Sequence, residues 1–119
     1  DHVVTHYHYG DIPLVVAEGG WQPKNNLPFR MTYLVNFENA TAEYDLNAED
    51  TLKLYREGED PEIIPVGDEN GYDLQITEFM DSLENGTEPP TATLASSLVS
   101  ATIVDAERES IARECRVDL

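Results

Sequence analysis

Five side chains in the first third of the chain have the chemistry to bind a polar ligand. They are His6, His8, Trp21, Arg30 and Tyr33. His6 and His8 are two residues apart, so a strand would place both imidazoles on one face, where they can hydrogen bond to hydroxyl groups. The indole of Trp21 can stack on a sugar ring, although it could equally cover a sheet edge or a subunit contact.

Arg30 and Tyr33 belong to one alternating run, so they face opposite sides of the same strand. At most one of them can therefore contribute to a given pocket, and both are retained as candidate substrate contacts.

The spacing of His6 and His8 also resembles the His-x-His pair of metal-dependent jelly-roll enzymes. The sequence offers no evident third ligand close by, and two consecutive helices at the C-terminal end do not suit a jelly roll. We therefore predict no metal site. Cys115 follows the acidic Glu114, which disfavours a thiolate, and Asp105 lies near an apolar helix stripe. Neither is predicted to be catalytic.

The first two thirds of the chain read as strands. Residues 3 to 9 and Leu14–Glu18 predict a hairpin that turns at Gly10-Asp11-Ile12-Pro13, with Gly19-Gly20 ending the second strand. A polar loop is expected from Gln22 to Pro28. Further strands are expected at the runs 29–37, 40–46, 51–55, 62–66 and 116–119.

The apolar period then changes from two residues to about 3.6. Tyr72, Ile76, Phe79, Met80 and Leu83 predict one face of a helix that begins near Gly71 and ends at Gly86, and this face should be buried. A second helix is predicted from about Thr93 to Arg113, with an apolar stripe at Leu94, Leu98, Ala101, Thr102 and Ala106. Strands followed by helices predict an α+β domain, with a predominantly antiparallel open-faced sheet and two C-terminal helices packed on one face.

Composition limits the possible partners. The chain has 119 residues, enough for one domain but too few for a dinucleotide fold plus a substrate domain. Its net charge is −17, with 24 acidic against 7 basic residues, which opposes binding to nucleic acid and to anionic membranes. One cysteine excludes an internal disulfide, and no signal peptide or apolar span is evident, so a cytoplasmic location is expected.

The order of motifs resembles the C-terminal domain of the glucose-fructose oxidoreductase and inositol dehydrogenase family (Gfo/Idh/MocA). The first helix carries Gly71, Tyr72, Gln75, Ile76, Glu78, Phe79 and Gly86, and Pro89, Pro90, Thr91 and Thr93 precede the second. Ser110, Val117 and Leu119 match the end of that domain, and two upstream segments, 17–21 and 36–40, are similar to its strands. Glu114 stands where the family has Gly, so either Glu114 adopts a positive φ or the helix ends differently.

This resemblance implies that residues 1–119 are the substrate-binding and oligomerisation domain of an NAD- or NADP-dependent oxidoreductase acting on a sugar, polyol or related secondary alcohol. The family's dinucleotide-binding domain supplies the cofactor site and a Glu-Lys-Pro lysine, and neither Gly-x-Gly-x-x-Gly nor Glu-Lys-Pro occurs here. No catalytic or cofactor-binding residue is assigned to this chain, which begins directly in a predicted strand and should be inactive alone. A homo-oligomer formed through the open sheet face is also implied. The alternative is a stand-alone acidic module that binds a ligand or partner without catalysis.

Overall fold

The computed structural model describes residues 2–21, 26–67 and 69–119. Six strands precede two helices: β1 (His2–Tyr9), β2 (Ile12–Gly20), β3 (Thr32–Asn36), β4 (Thr41–Asp45), β5 (Leu52–Tyr55), β6 (Glu62–Ile63), α1 (Gly71–Asn85) and α2 (Leu94–Arg113). The elements fall into two compact units. Unit 1 holds β1, β2, α1 and α2, and unit 2 holds β3 to β6.

In unit 1, β1 and β2 form the expected antiparallel hairpin. Its turn is the two residues Gly10-Asp11, not the four predicted, because Ile12 and Pro13 already belong to β2. His6 lies opposite Val16 and Tyr7 opposite Val15, and the register shifts between Tyr7 and Tyr9. Thr5 and Tyr7 are half-buried, whereas His6 and His8 are exposed. The hairpin therefore has one partly covered face and one open face.

Both helices have side-chain caps at their first turns. The Asn70 side chain accepts hydrogen bonds from the backbone N–H groups of Tyr72 (2.9 Å) and Asp73 (3.0 Å) at the start of α1. Thr93 does the same for Ser96 (3.0 Å) at the start of α2.

Both helices end in a left-handed residue. Gly86 closes α1 at φ 65°, and Glu114 closes α2 at φ 51°. Of the two outcomes considered for Glu114, the positive φ is the one observed.

Unit 2 is a four-stranded antiparallel meander in the order β3-β4-β5-β6. Opposite residues share a face, so Tyr33, Val35, Ala42, Tyr44, Leu52 and Leu54 make one side of the sheet apolar. The other side is mixed, with Leu34 opposite Glu43, and Glu43 opposite Lys53. The rings of Tyr33 and Tyr44 stack with centroids 4.9 Å apart and an interplanar angle of 7°.

The α+β class with antiparallel strands and C-terminal helices is confirmed. Several boundaries differ from the predicted ones. The strands form two sheets, the run 29–37 is a strand only from Thr32, and β6 stops before Pro65, which lacks the N–H that a ladder needs. The predicted loop at 22–28 lies mostly outside the described residues. The predicted strand at 116–119 was wrong, because this segment is irregular. Just before it, the Ser110 hydroxyl donates a hydrogen bond to the Cys115 carbonyl.

The expected burial of the α1 stripe was also wrong. No hydrophobic side chain among the described residues is fully buried, and the five apolar residues of the α1 stripe are 50 to 74% exposed. A stripe of this kind is normally covered by another surface. The described residues include no helix of the length and apolarity needed to cross a membrane.

Candidate functional site

The open face of the hairpin is the candidate site that the sequence predicted best. Alternation and register place His2, Val4, His6, Val16 and Glu18 on this face. The His2 Nε2 atom lies 3.1 Å from Glu18 Oε1, and both side chains are about half exposed or more. The result is an open surface with imidazole and carboxylate groups beside two exposed valines, a mixture suited to a polar ligand with some apolar area.

His8 lies at the register shift between Tyr7 and Tyr9, so the regular alternation that would align it with His6 is interrupted there. Both imidazoles are exposed and accessible to a ligand. In the described ranges, no three or more His, Cys, Asp or Glu side chains converge closely enough to hold a metal ion.

The other three predicted residues occupy different places. Trp21 directly follows β2 and is 84% exposed, so its indole faces are open for stacking. Arg30 and Tyr33 belong to unit 2, in the segment before β3 and within β3. One face of the Tyr33 ring is taken by Tyr44, which leaves the phenol edge and the opposite face for a ligand. The five residues are thus divided between the two units.

Unit 2 has a second polar cluster, which the sequence interpretation missed. The Tyr55 hydroxyl donates a hydrogen bond of 2.5 Å to Glu43 Oε2, and Lys53 lies directly opposite Glu43. This hydrogen bond, followed by desolvation, raises the pKa of Tyr55. Lys53 Nζ is 3.6 Å from Asp50. Carboxylate, phenol and ammonium groups together can accept from and donate to hydroxyls. Pairing the alternating runs 40–46 and 51–55 as a hairpin could have identified this cluster.

A second missed feature joins the hairpin to α2. The Tyr7 hydroxyl donates a hydrogen bond to Glu107 Oε1. This bond, with a smaller effect of burial, raises the pKa of Tyr7 to about 12. No local sequence signal connects two residues 100 positions apart.

A groove of about 620 Å³, here called the β1 groove, adjoins this contact. One wall is formed by the consecutive residues 3 to 9 of β1. The other walls are formed by Ile103, Ala106, Glu107, Ser110 and Ile111 of α2 and by the tail residues 116–119.

Comparison with protein families, with curated proteins and with solved structures gives no significant match to this chain.

Proposed function

We propose that this chain is the substrate-binding and oligomerisation domain of an NAD- or NADP-dependent oxidoreductase that acts on a sugar, polyol or related secondary alcohol. The proposal is supported by the order of motifs from Gly71 to Leu119 and by the outcome at Glu114. Glu114 ends α2 in the left-handed conformation that usually requires glycine. This is expected if the chain keeps the backbone conformation of the family's Gly position after losing the glycine itself.

One observation carries the part of the proposal that makes this domain a piece of a larger assembly: the apolar residues of α1 remain exposed in an otherwise regular, well-capped helix. Tyr72, Ile76 and Leu83 are 74, 63 and 61% exposed. Water contact at this many large side chains is unfavourable by about 25 cal/mol for each Å² of apolar surface. A chain with formed elements and uncovered apolar faces is best explained as part of a larger assembly.

Each unit brings its own side chains for hydroxyl recognition. We assign substrate contacts to His6, His8 and Trp21 in unit 1. In unit 2, Arg30 and Tyr33 remain the candidates, at most one of them for a given pocket. Imidazole and phenol groups exchange hydrogen bonds with sugar hydroxyls, and an exposed indole offers a ring face. These residues bind and orient the substrate. The hydride acceptor, NAD or NADP, and the catalytic lysine belong to the dinucleotide-binding domain, so no residue here is assigned to catalysis.

The subunit interface is proposed on the sheet face of unit 2 that carries Leu34, which is 64% exposed. A self-complementary patch of this kind gives a closed dimer. The same proposal places the enzyme in the cytoplasm, where a single thiol such as Cys115 stays reduced.

The most direct genetic test is the coding sequence upstream of Asp1. It should encode a Gly-x-Gly-x-x-Gly turn between a strand and a helix, followed by a Glu-Lys-Pro run. The protein containing both parts should reduce NAD or NADP with one member of a panel of sugars and polyols. An upstream sequence with neither motif would favour the stand-alone module.

Variants of the whole enzyme test the site. His6→Gln should raise KM for the sugar by about tenfold, as expected for loss of a substrate hydrogen bond, with little change in KM for the cofactor. Glu84→Gln, on α1, is the matched control and should change neither value. Titration of this chain alone with NADH and NADPH should show no binding, and micromolar binding would reverse the assignment of roles between the two domains.

A further inference from the structure

We propose that the free edge of β1 binds an extended peptide segment of a partner protein, one with alternating apolar and basic side chains, as an added third strand. Within the described ranges β1 pairs with β2 alone, so alternate N–H and C=O groups of β1 point away from the hairpin. Such an edge is a template for another strand.

The β1 groove follows this edge. All seven consecutive residues from Val3 to Tyr9 line it, while no residue of β2 does. Successive side chains of a strand point to opposite faces, so an unbroken run of lining residues indicates that the groove lies along the backbone edge. A peptide there could pair its main chain with β1 and place alternate side chains against Ile103 and Ile111 of α2.

The edges of the hairpin differ in how they are protected. β2 carries Pro13 and Glu18, two of the devices that prevent strand addition. β1 carries no proline, lysine, arginine or carboxylate between His2 and Tyr9. The uncharged β3 is shorter, with five residues against eight, and is flanked in sequence by Arg30 and Glu38. β1 is thus the longest unprotected edge among the described strands.

Charge selects the kind of peptide. Two carboxylates, Glu107 and Asp118, line the groove, and Arg116 is the one Lys or Arg side chain among its lining residues. Arg116 lies 2.7 Å from Asp118 and is paired with it, which leaves the charge of Glu107 without a cationic partner in the lining. The chain as a whole carries −17 charges, which opposes approach of a second copy and favours a basic segment. The occupant is therefore a cationic, β-prone segment of another protein. The inference does not depend on the oxidoreductase assignment.

The test uses the intact chain and synthetic peptides of alternating valine and lysine, capped at both ends. Binding should slow amide exchange at alternate residues from Val3 to Tyr9 by at least about tenfold, and leave β5 in unit 2 unaffected. Two N-methylated peptides separate strand pairing from charge attraction. Methylation of the peptide amides that face β1 should abolish binding. Methylation of the amides on the opposite edge of the peptide should not. Equal binding by both, protection outside β1, or no binding by the parent peptide would overturn the proposal.

A matched pair of chain variants adds a second readout. Val4 and Val16 lie on the same hairpin face and are 50 and 45% exposed, but only Val4 lines the groove. Val4→Lys should weaken binding of the cationic peptide by about tenfold, because it adds a like charge at the edge. Val16→Lys should weaken it much less. Equal losses would show that the peptide responds to net charge alone, which contradicts strand addition at β1.

Discussion

The Tyr7 hydroxyl donates a hydrogen bond to the carboxylate of Glu107, so a side chain of the first strand is tied to the last helix across 100 residues of sequence. Both residues of this contact line the β1 groove. It also changes the ionisation of the phenol, because a tyrosinate next to Glu107 would lose the hydrogen bond and gain repulsion.

Tyr7 should titrate at higher pH than an ordinary tyrosine. Its pKa is raised to about 12 in the fold against about 10 unfolded. Since the folded pKa is the higher one, the stabilisation is fully present below pH 10 and is lost as the pH rises towards 12. The pKa of Tyr55 is raised as well, so ultraviolet titration should show more than one late tyrosine. Glu107→Gln should lower the pKa of Tyr7 and leave that of Tyr55 unchanged. An unchanged titration in this variant would show that the pair does not form.

Replacing Glu114 with glycine should stabilise α2. A non-glycine residue at φ 51° is strained, so Glu114→Gly should raise the free energy of unfolding by about 1 kcal/mol. The reciprocal change, Gly86→Ala at φ 65°, should lower it by a similar amount, because no atom lies within 4 Å of the added Cβ and only backbone strain acts. Urea unfolding followed by helical circular dichroism measures both. Glu114→Gln controls for charge, and an equal gain from it would assign the effect to the helix dipole.

Glu78 should stay ionised to lower pH than a free glutamate. It accepts hydrogen bonds from the Thr91 hydroxyl (2.6 Å) and backbone N–H (3.0 Å), which lower its pKa. Because the folded pKa is the lower one, the contribution to stability is present above the unfolded value and is lost as the pH falls through the folded pKa. Thr91→Val should raise the pKa of Glu78 in a carbon-13 titration. Thr102→Val, which removes a hydroxyl within α2, should leave it unchanged.

Truncation of Phe79 should be nearly neutral in this chain alone. The side chain is 51% exposed, so Phe79→Ala should change the free energy of unfolding by less than about 0.5 kcal/mol. A buried phenylalanine would cost about 3–5 kcal/mol. Leu54→Ala, at a half-buried position in β5, serves as the comparison and should cost more. If Phe79→Ala is as costly as a core substitution, the α1 stripe is covered within this chain.

Local chemistry made much of the fold predictable. The change of apolar period at Gly71 located both helices, and Gly86 marked the end of α1 through its left-handed conformation. The hairpin itself was predicted from the runs on either side, but its turn is only Gly10-Asp11, two residues shorter than predicted. Strand ends were harder to predict. Pro65 lacks a backbone N–H, but this ends a strand only where the neighbouring strand would accept a hydrogen bond from that position. The segment 116–119 has an alternating pattern, yet it pairs with no described strand.

The candidate site was less predictable than the fold. Exposure at His6 and Trp21 agrees with a binding role, but any surface residue has the same exposure. Two hydrogen bonds, Tyr7 to Glu107 and Thr91 to Glu78, depend on how separate segments of the chain pack together. The spacing of apolar residues in the sequence carries no information on that packing. Exposure of the α1 stripe was missed because an amphipathic pattern indicates that a face will be covered, not which molecule covers it.

Sedimentation equilibrium at low and high ionic strength tests the central claim, that other protein surfaces cover the exposed apolar residues of this domain. At tens of micromolar the chain should form a dimer, and the association should strengthen with salt as the repulsion between copies of charge −17 is screened. Leu34→Glu should weaken the dimer by adding charge at the proposed sheet interface. A strict monomer at both ionic strengths would contradict the oligomerisation role and favour the stand-alone module.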